Sequence, residues 1–139
     1  MKKRNINFRI RAGAKFLYTG DLNELKSLSI DLKQENNITW QQCSEIPDKK
    51  GVMIYEGDIL KYTIGTVNFT YLVRFGIYKY PSISDKNSGN GFYIQIVDNK
   101  NFYPAPLHDG MTKAFEVIGN VFDNPEIAPL EEIVLDYVG

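Results

Sequence analysis

The clearest alternation of apolar and polar residues runs from Val67 to Phe75. Val67, Phe69, Tyr71, Val73 and Phe75 share one parity, and Asn68, Thr70 and Arg74 share the other. A period of two predicts a β-strand. Ile59–Tyr62 precedes it across a short link holding Gly65, which predicts a hairpin. At the N-terminus Ile6, Phe8 and Ile10 alternate with Asn7, Arg9 and Arg11, the pattern of a half-buried strand with its polar face outward. Phe16–Tyr18 is its expected partner across Ala12-Gly13-Ala14. Further strands are expected over Ile38–Cys43, over Phe92–Val97 with a turn at Asp98–Asn101, and over Phe115–Gly119. Asp21 and Glu24 have the spacing of a helix cap before one or two turns over Leu22–Leu28. Asn124-Pro125-Glu126 offers a cap with proline at the first helical position, opening a short C-terminal helix. The polar stretch 81–91 reads as a mobile loop. Strands this short and this closely spaced predict a mainly β chain with a barrel-like fold, SH3-like or a sandwich, with short helical turns.

Composition narrows the setting more than the chemistry. The 139 residues suit a single domain over 1–139, and nine Tyr with eight Phe favour strands. No apolar run approaches the roughly 20 residues of a membrane span. The basic start is interrupted by Asn5, Asn7 and Arg9 where a signal peptide would be apolar, and Cys43 has no partner for a disulfide. A cytoplasmic protein that does not associate with membranes is therefore expected. The net charge of −1 conceals an uneven distribution: residues 1–26 hold seven Lys or Arg, and residues 109–139 hold seven acids. Such a head and tail can be two solvated surfaces, can dock within one chain or between subunits, or can face different partners.

Two stretches stand out. Ile54-Tyr55-Glu56-Gly57-Asp58-Ile59 and Ile118-Gly119-Asn120-Val121-Phe122-Asp123-Asn124-Pro125 each set glycine beside a small polar residue within β-type apolar sequence. That wording turns a strand at one place. Glu56 and Asp58 form a carboxylate pair, but a hard cation needs several more oxygens than they supply. His108 is the only histidine and lies in the turn sequence Pro106-Leu107-His108-Asp109-Gly110, which excludes a multi-histidine metal site. Cys43 has no local activating motif and reads as a small buried apolar residue. No nucleophile elbow, phosphate loop or dinucleotide fingerprint occurs. Hence no catalytic residue, cofactor or metal is expected. Nucleic-acid binding has a candidate surface in Lys2, Lys3, Arg4, Arg9, Arg11 and Lys15, interleaved with Phe8, Phe16 and Tyr18. The pI of about 5.8 argues against a dedicated nucleic-acid binder.

These residues resemble the YopX family of phage- and prophage-encoded proteins. Its central motif reads Gln, aromatic, Thr, Gly, two variable residues, Asp, two more, Gly, two more, then Ile-Tyr-Glu-Gly-Asp. Gln42, Asp48, Gly51, Ile54, Tyr55, Glu56, Gly57 and Asp58 match it with identical spacing, and Cys43, Ser44 and Glu45 depart from the aromatic–Thr–Gly piece. Phe8-Arg9 matches an N-terminal Phe-Arg, with Arg11 where the family usually has Trp; Val117–Asn120 and Asn124-Pro125-Glu126 also match. The resemblance implies a β-rich, barrel-like phage accessory protein that forms homo-oligomers, and no established activity. The function expected is binding of a phage or host protein in the bacterial cytoplasm. Gly57 and Gly119 are expected to be turn glycines, Tyr55 a core ring, and Asp58 and Asn120 turn stabilisers.

Overall fold

In the computed structural model, residues 8–19, 38–79, 88–97 and 104–128 are described. They form two antiparallel sheets. The smaller contains β1 (Phe8–Ala12), β2 (Lys15–Thr19), β3 (Ile38–Pro47) and β4 (Met53–Tyr55), in the order β2-β1-β3-β4. The larger contains β5 (Asp58–Ile64), β6 (Val67–Lys79), β7 (Ser88–Ile96), β8 (Ala105–Pro106) and β9 (Phe115–Asn120), in the order β8-β7-β6-β5-β9. A single short helix, α1 (Asp109–Thr112), is present among the described residues. None of these elements is a helix long and apolar enough to cross a membrane.

The hairpin expected from the alternation is present. Ile64 faces Val67 across Gly65-Thr66, and Gly65 has φ +60°. Glycine at the first position of a two-residue turn suits the twist of the flanking strands. The larger sheet is covered on both faces. On one, Leu60, Val73, Ile94 and Phe115 pack with Ile54 of β4 and with Leu107. On the other, Ile59 and Leu72 pack against Val121 and Ala128 from the segment after β9. β9 carries one extra residue against β5: Ile59 faces Gly119 and Leu60 faces Val117, leaving Ile118 as a bulge.

Several expectations change. β6 continues to Lys79, and β7 begins at Ser88, so residues 88–91 of the expected loop are paired strand. Asn124 opens a single turn, with the Ala128 N–H donating to its carbonyl at 3.2 Å, and residues 124–128, the described part of the expected C-terminal helix, are turn rather than helix. The expected helix at Leu22–Leu28 and residues 81–87 of the loop lie outside the described residues. Most consequential is Arg9. It does not face water: the parity of β1 that holds Arg9 and Arg11 is the one turned toward the larger sheet, and Arg9 is 4% exposed. Ile10, on the opposite parity, is buried as well, so no polar face of β1 is left outward at its centre.

Candidate functional site

The Tyr55–Asp58 motif is the link between the two sheets. β4 ends at Tyr55 and β5 starts at Asp58, and Gly57 between them takes φ +85°. Asp58 Oδ2 accepts the Tyr55 N–H at 2.8 Å, which closes the turn. The Gly57 N–H donates to the Val73 carbonyl at 2.8 Å, and its own carbonyl accepts the Val121 N–H at 3.0 Å. A Cβ at residue 57 would collide with the Gln41 amide and press on Val121. Glycine is therefore required twice, for its backbone angle and for the approach of Gln41. Glu56 ties the turn back to β3: its N–H donates to the Gln42 carbonyl and its Oε1 accepts the Gln42 N–H, both at 3.0 Å.

Arg9 is the centre of this node. Its guanidinium gives NH1 to Asp58 Oδ1 at 2.7 Å, Nε to Gln41 Oε1 at 2.6 Å and NH2 to the Glu56 carbonyl at 3.3 Å. Phe16 and Tyr55 flank it, with ring centroids 4.4 and 4.9 Å from Cζ. Stacked rings and a fork of acceptors are what a buried guanidinium needs. Burial pushes the Asp58 carboxyl up to about 6, against the opposing pull of Arg9 and of the Tyr55 N–H. Burial also raises the Glu56 carboxyl, opposed by the Gln42 N–H and Arg9. The Tyr55 phenol is pushed up to about 12 by burial, with neighbouring Cys43 adding to it.

The second stretch builds a matching node. Asn120 Oδ1 accepts the N–H groups of Phe122 and Asp123, each at 3.0 Å, and its Nδ2 donates to Asp123 Oδ2 at 3.1 Å. Asn124 Oδ1 accepts the Asn120 N–H at 3.1 Å, and Asn124 Nδ2 reaches Glu126 Oε1 at 3.4 Å. Gly119 is not a turn glycine. It lies within β9, and a Cβ there would occupy the space of the Asn124 amide. Pro125 follows as the chain leaves this turn. Arg11 spans to it as Arg9 spans to the first node, with NH2 to Asp123 Oδ1 at 2.9 Å and its guanidinium over Phe16 and Phe122. Arg11 holds the Asp123 carboxyl below its usual range, helped by Asn120.

Asp48 is the third fixed point. Its Oδ1 accepts the N–H groups of Lys50 and Val52, at 2.9 and 2.8 Å, and Oδ2 accepts that of Val117 at 2.9 Å. The turn before β4 is thus stapled to β9, with Gly51 supplying φ +84°.

Of the candidate basic surface, Arg9 and Arg11 are engaged within the fold, Lys15 opens β2, and Lys2, Lys3 and Arg4 lie outside the described residues. His108 sits at the N-cap of α1 without a side-chain capping bond. Among the described residues no three His, Cys, Asp or Glu side chains are placed to hold a metal ion. The reading from sequence missed Gln41 and Asp123. The signal for Gln41 was parity, since it lies opposite Arg9 in the β1–β3 register. No curated protein matches the chain at significant similarity. The YopX protein family does match, over residues 22–128, a span that holds the Gln42–Asp58 motif, Asp48 and both asparagines. With the motif positions occupied in register and most of the chain covered, this protein belongs to the YopX family.

Proposed function

We propose that the protein is a phage- or prophage-encoded accessory protein without catalytic activity. It acts in the bacterial cytoplasm by self-association and by binding a phage or host protein. The observation that carries this reading is the use made of the motif's polar groups. Asp48, Glu56, Asp58 and Asn120 are each bonded to backbone N–H groups, so the signature supports architecture rather than presenting reactive groups to a substrate. Exposed side chains such as Tyr18, Trp40 and Ile77 are instead suited to contact with another surface.

The test is capture of the tagged protein from phage-infected host lysate, with and without nuclease, the eluate being analysed for protein and nucleic acid. A defined protein that remains after digestion, and that binds again when purified, is the expected result. Nucleic acid in the untreated eluate, with all co-purifying protein lost on digestion, would replace this reading with binding through the basic N-terminal residues. That binding would weaken steeply with salt.

A further inference from the structure

Arg9 and Arg11 share one face of β1, and both guanidiniums lie on the same ring. Their Cζ atoms are 4.4 and 4.8 Å from the centroid of Phe16. From that ring the two side chains diverge. Arg9 goes to Asp58 at the link between the sheets, and Arg11 goes to Asp123 in the turn after β9. Tyr55 stands beyond Arg9 at 4.9 Å, and Phe122 beyond Arg11 at 5.3 Å. Phe122, Arg11, Phe16, Arg9 and Tyr55 thus form one continuous row that joins the second motif to the first. Its ends are unequally covered. The side chains of Arg9 and Asp58 are 5% and 3% exposed, whereas that of Asp123 is 51% exposed.

We infer that this row couples the two turns: when Asp123 is taken from Arg11, Arg9 loosens its hold on Asp58 and Gln41, with Phe16 carrying the effect. Two cations on one ring repel each other, and each keeps its place because a carboxylate of its own holds it there. Arg11 is itself only 11% exposed, so without Asp123 it is a nearly buried charge short of its counter-charge and is driven toward water. The bond that remains, from its Nε to the Gly13 carbonyl at 2.8 Å, leads out to the exposed β1–β2 turn. Its departure removes a neighbour of Phe16, which lies half-buried on β2, the outermost strand of its sheet. Phe16 is then free to leave Arg9, whose buried guanidinium depends on stacked rings. The charges at the two ends already sense each other: the Asp123 carboxyl is held down by Arg11 and Asn120, and in smaller part by Arg9. A partner's basic side chain that captures the exposed Asp123 is thereby felt at the link between the sheets. This coupling belongs to the folded chain and goes beyond the function proposed above.

Solvent exchange of the Arg9 Nε–H, followed by NMR on the full chain, tests this. The Val97 N–H, bonded to the Thr70 carbonyl at 2.9 Å between β6 and β7, serves as the reference for general loosening. Asp123→Asn removes the charge as capture by a partner's cation would. It is expected to speed Arg9 exchange by about tenfold relative to Val97, the coupling typical of residues in one network. In a Phe16→Leu background the same substitution is expected to change the ratio by about twofold or less. Phe16→Met, which fills more of the ring's space, supplies that comparison if the leucine variant does not fold. An Arg9 rate that Asp123→Asn leaves unchanged, or changes only in step with Val97, would show that the two turns are independent. A tenfold effect that persists without the Phe16 ring would also overturn the inference. It would place the coupling in the backbone bond from the Val121 N–H to the Gly57 carbonyl.

Discussion

Glu45 has φ +63°, the only positive φ outside glycine among the described residues. It stands where the family motif has glycine, between Cys43 and Pro47, where the β3–β4 register shifts. The substitution therefore places a Cβ in the left-handed region, at a cost of about 1–2 kcal/mol. Glu45→Gly is expected to stabilise the protein by about 1 kcal/mol, part of the relief being offset by the freer unfolded chain. A thermal melt should move up by roughly 4 °C. Glu45→Ala keeps the strained backbone and should show no such gain; a gain equal to that of glycine would mean that the side chain, not φ, is the burden. Gly57 is the opposite case, with the required residue in place. Gly57→Ala would force a left-handed alanine and displace Gln41 from Arg9, at a cost on the order of 3 kcal/mol by urea denaturation. A variant as stable as wild type would remove the structural account of the motif. The glycine at 57 was legible from its neighbours alone. The strain at 45 was not, because a backbone angle leaves no mark in the sequence; only the departure from the family pattern pointed to it.

Among the elements, β6 shows what alternation records. Its centre was visible from the period of two, because Val73 and Tyr71 face the core there. Its far end was not, nor was the start of β7, because Ser88-Gly89-Asn90-Gly91 has low strand propensity and is held by register with β6. Pairing overrode propensity. The inward turn of Arg9 was hidden for another reason. A pattern reading assigns charge to solvent, and the carboxylate that overrules it stands on a strand that only the fold brings near. Asp48 is an element-scale device of the same kind, joining the turn before β4 to β9 through three N–H groups. Asp48→Ala would leave those donors without their acceptor and should cost about 3 kcal/mol. Hydrogen exchange should show the Val117 amide losing protection while the β5–β6 amides keep theirs relative to the lowered global stability. An unchanged Val117 rate would show that β9 is held by pairing alone.

For the molecule as a whole, the Arg9–Asp58 pair links stability to pH. Burial raises Asp58 to about 6 in the folded state, from 3.8 when unfolded. The folded state thus holds this proton more tightly than the unfolded chain does. The contribution of Asp58 favours folding most below its unfolded value, declines as pH rises from about 4 to about 6, and is level above that. The difference is on the order of 3 kcal/mol. Glu56 acts in the same direction. Glu116 and Asp123, lowered by Lys50 and Arg11, act in the opposite sense and are lost as pH falls, but both are solvent-screened. A carboxyl carbon NMR titration should place the Asp58 midpoint near 6, and Asp58→Asn should flatten stability against pH across that window. A midpoint below 3.8 would show that the ion pair outweighs burial.

The same pair has a consequence for the order of synthesis. Arg9 leaves the ribosome 49 residues before Asp58, and Arg11 precedes Asp123 by 112. At roughly 5–20 residues per second, the first hairpin spends several seconds with its cations in water before either counter-charge exists. During that interval the nascent chain presents a hydrated, mutually repelling strand rather than a sticky edge. Only when the second and then the last quarter of the chain have emerged can both charges find their partners, so the first hairpin is made well before it can settle.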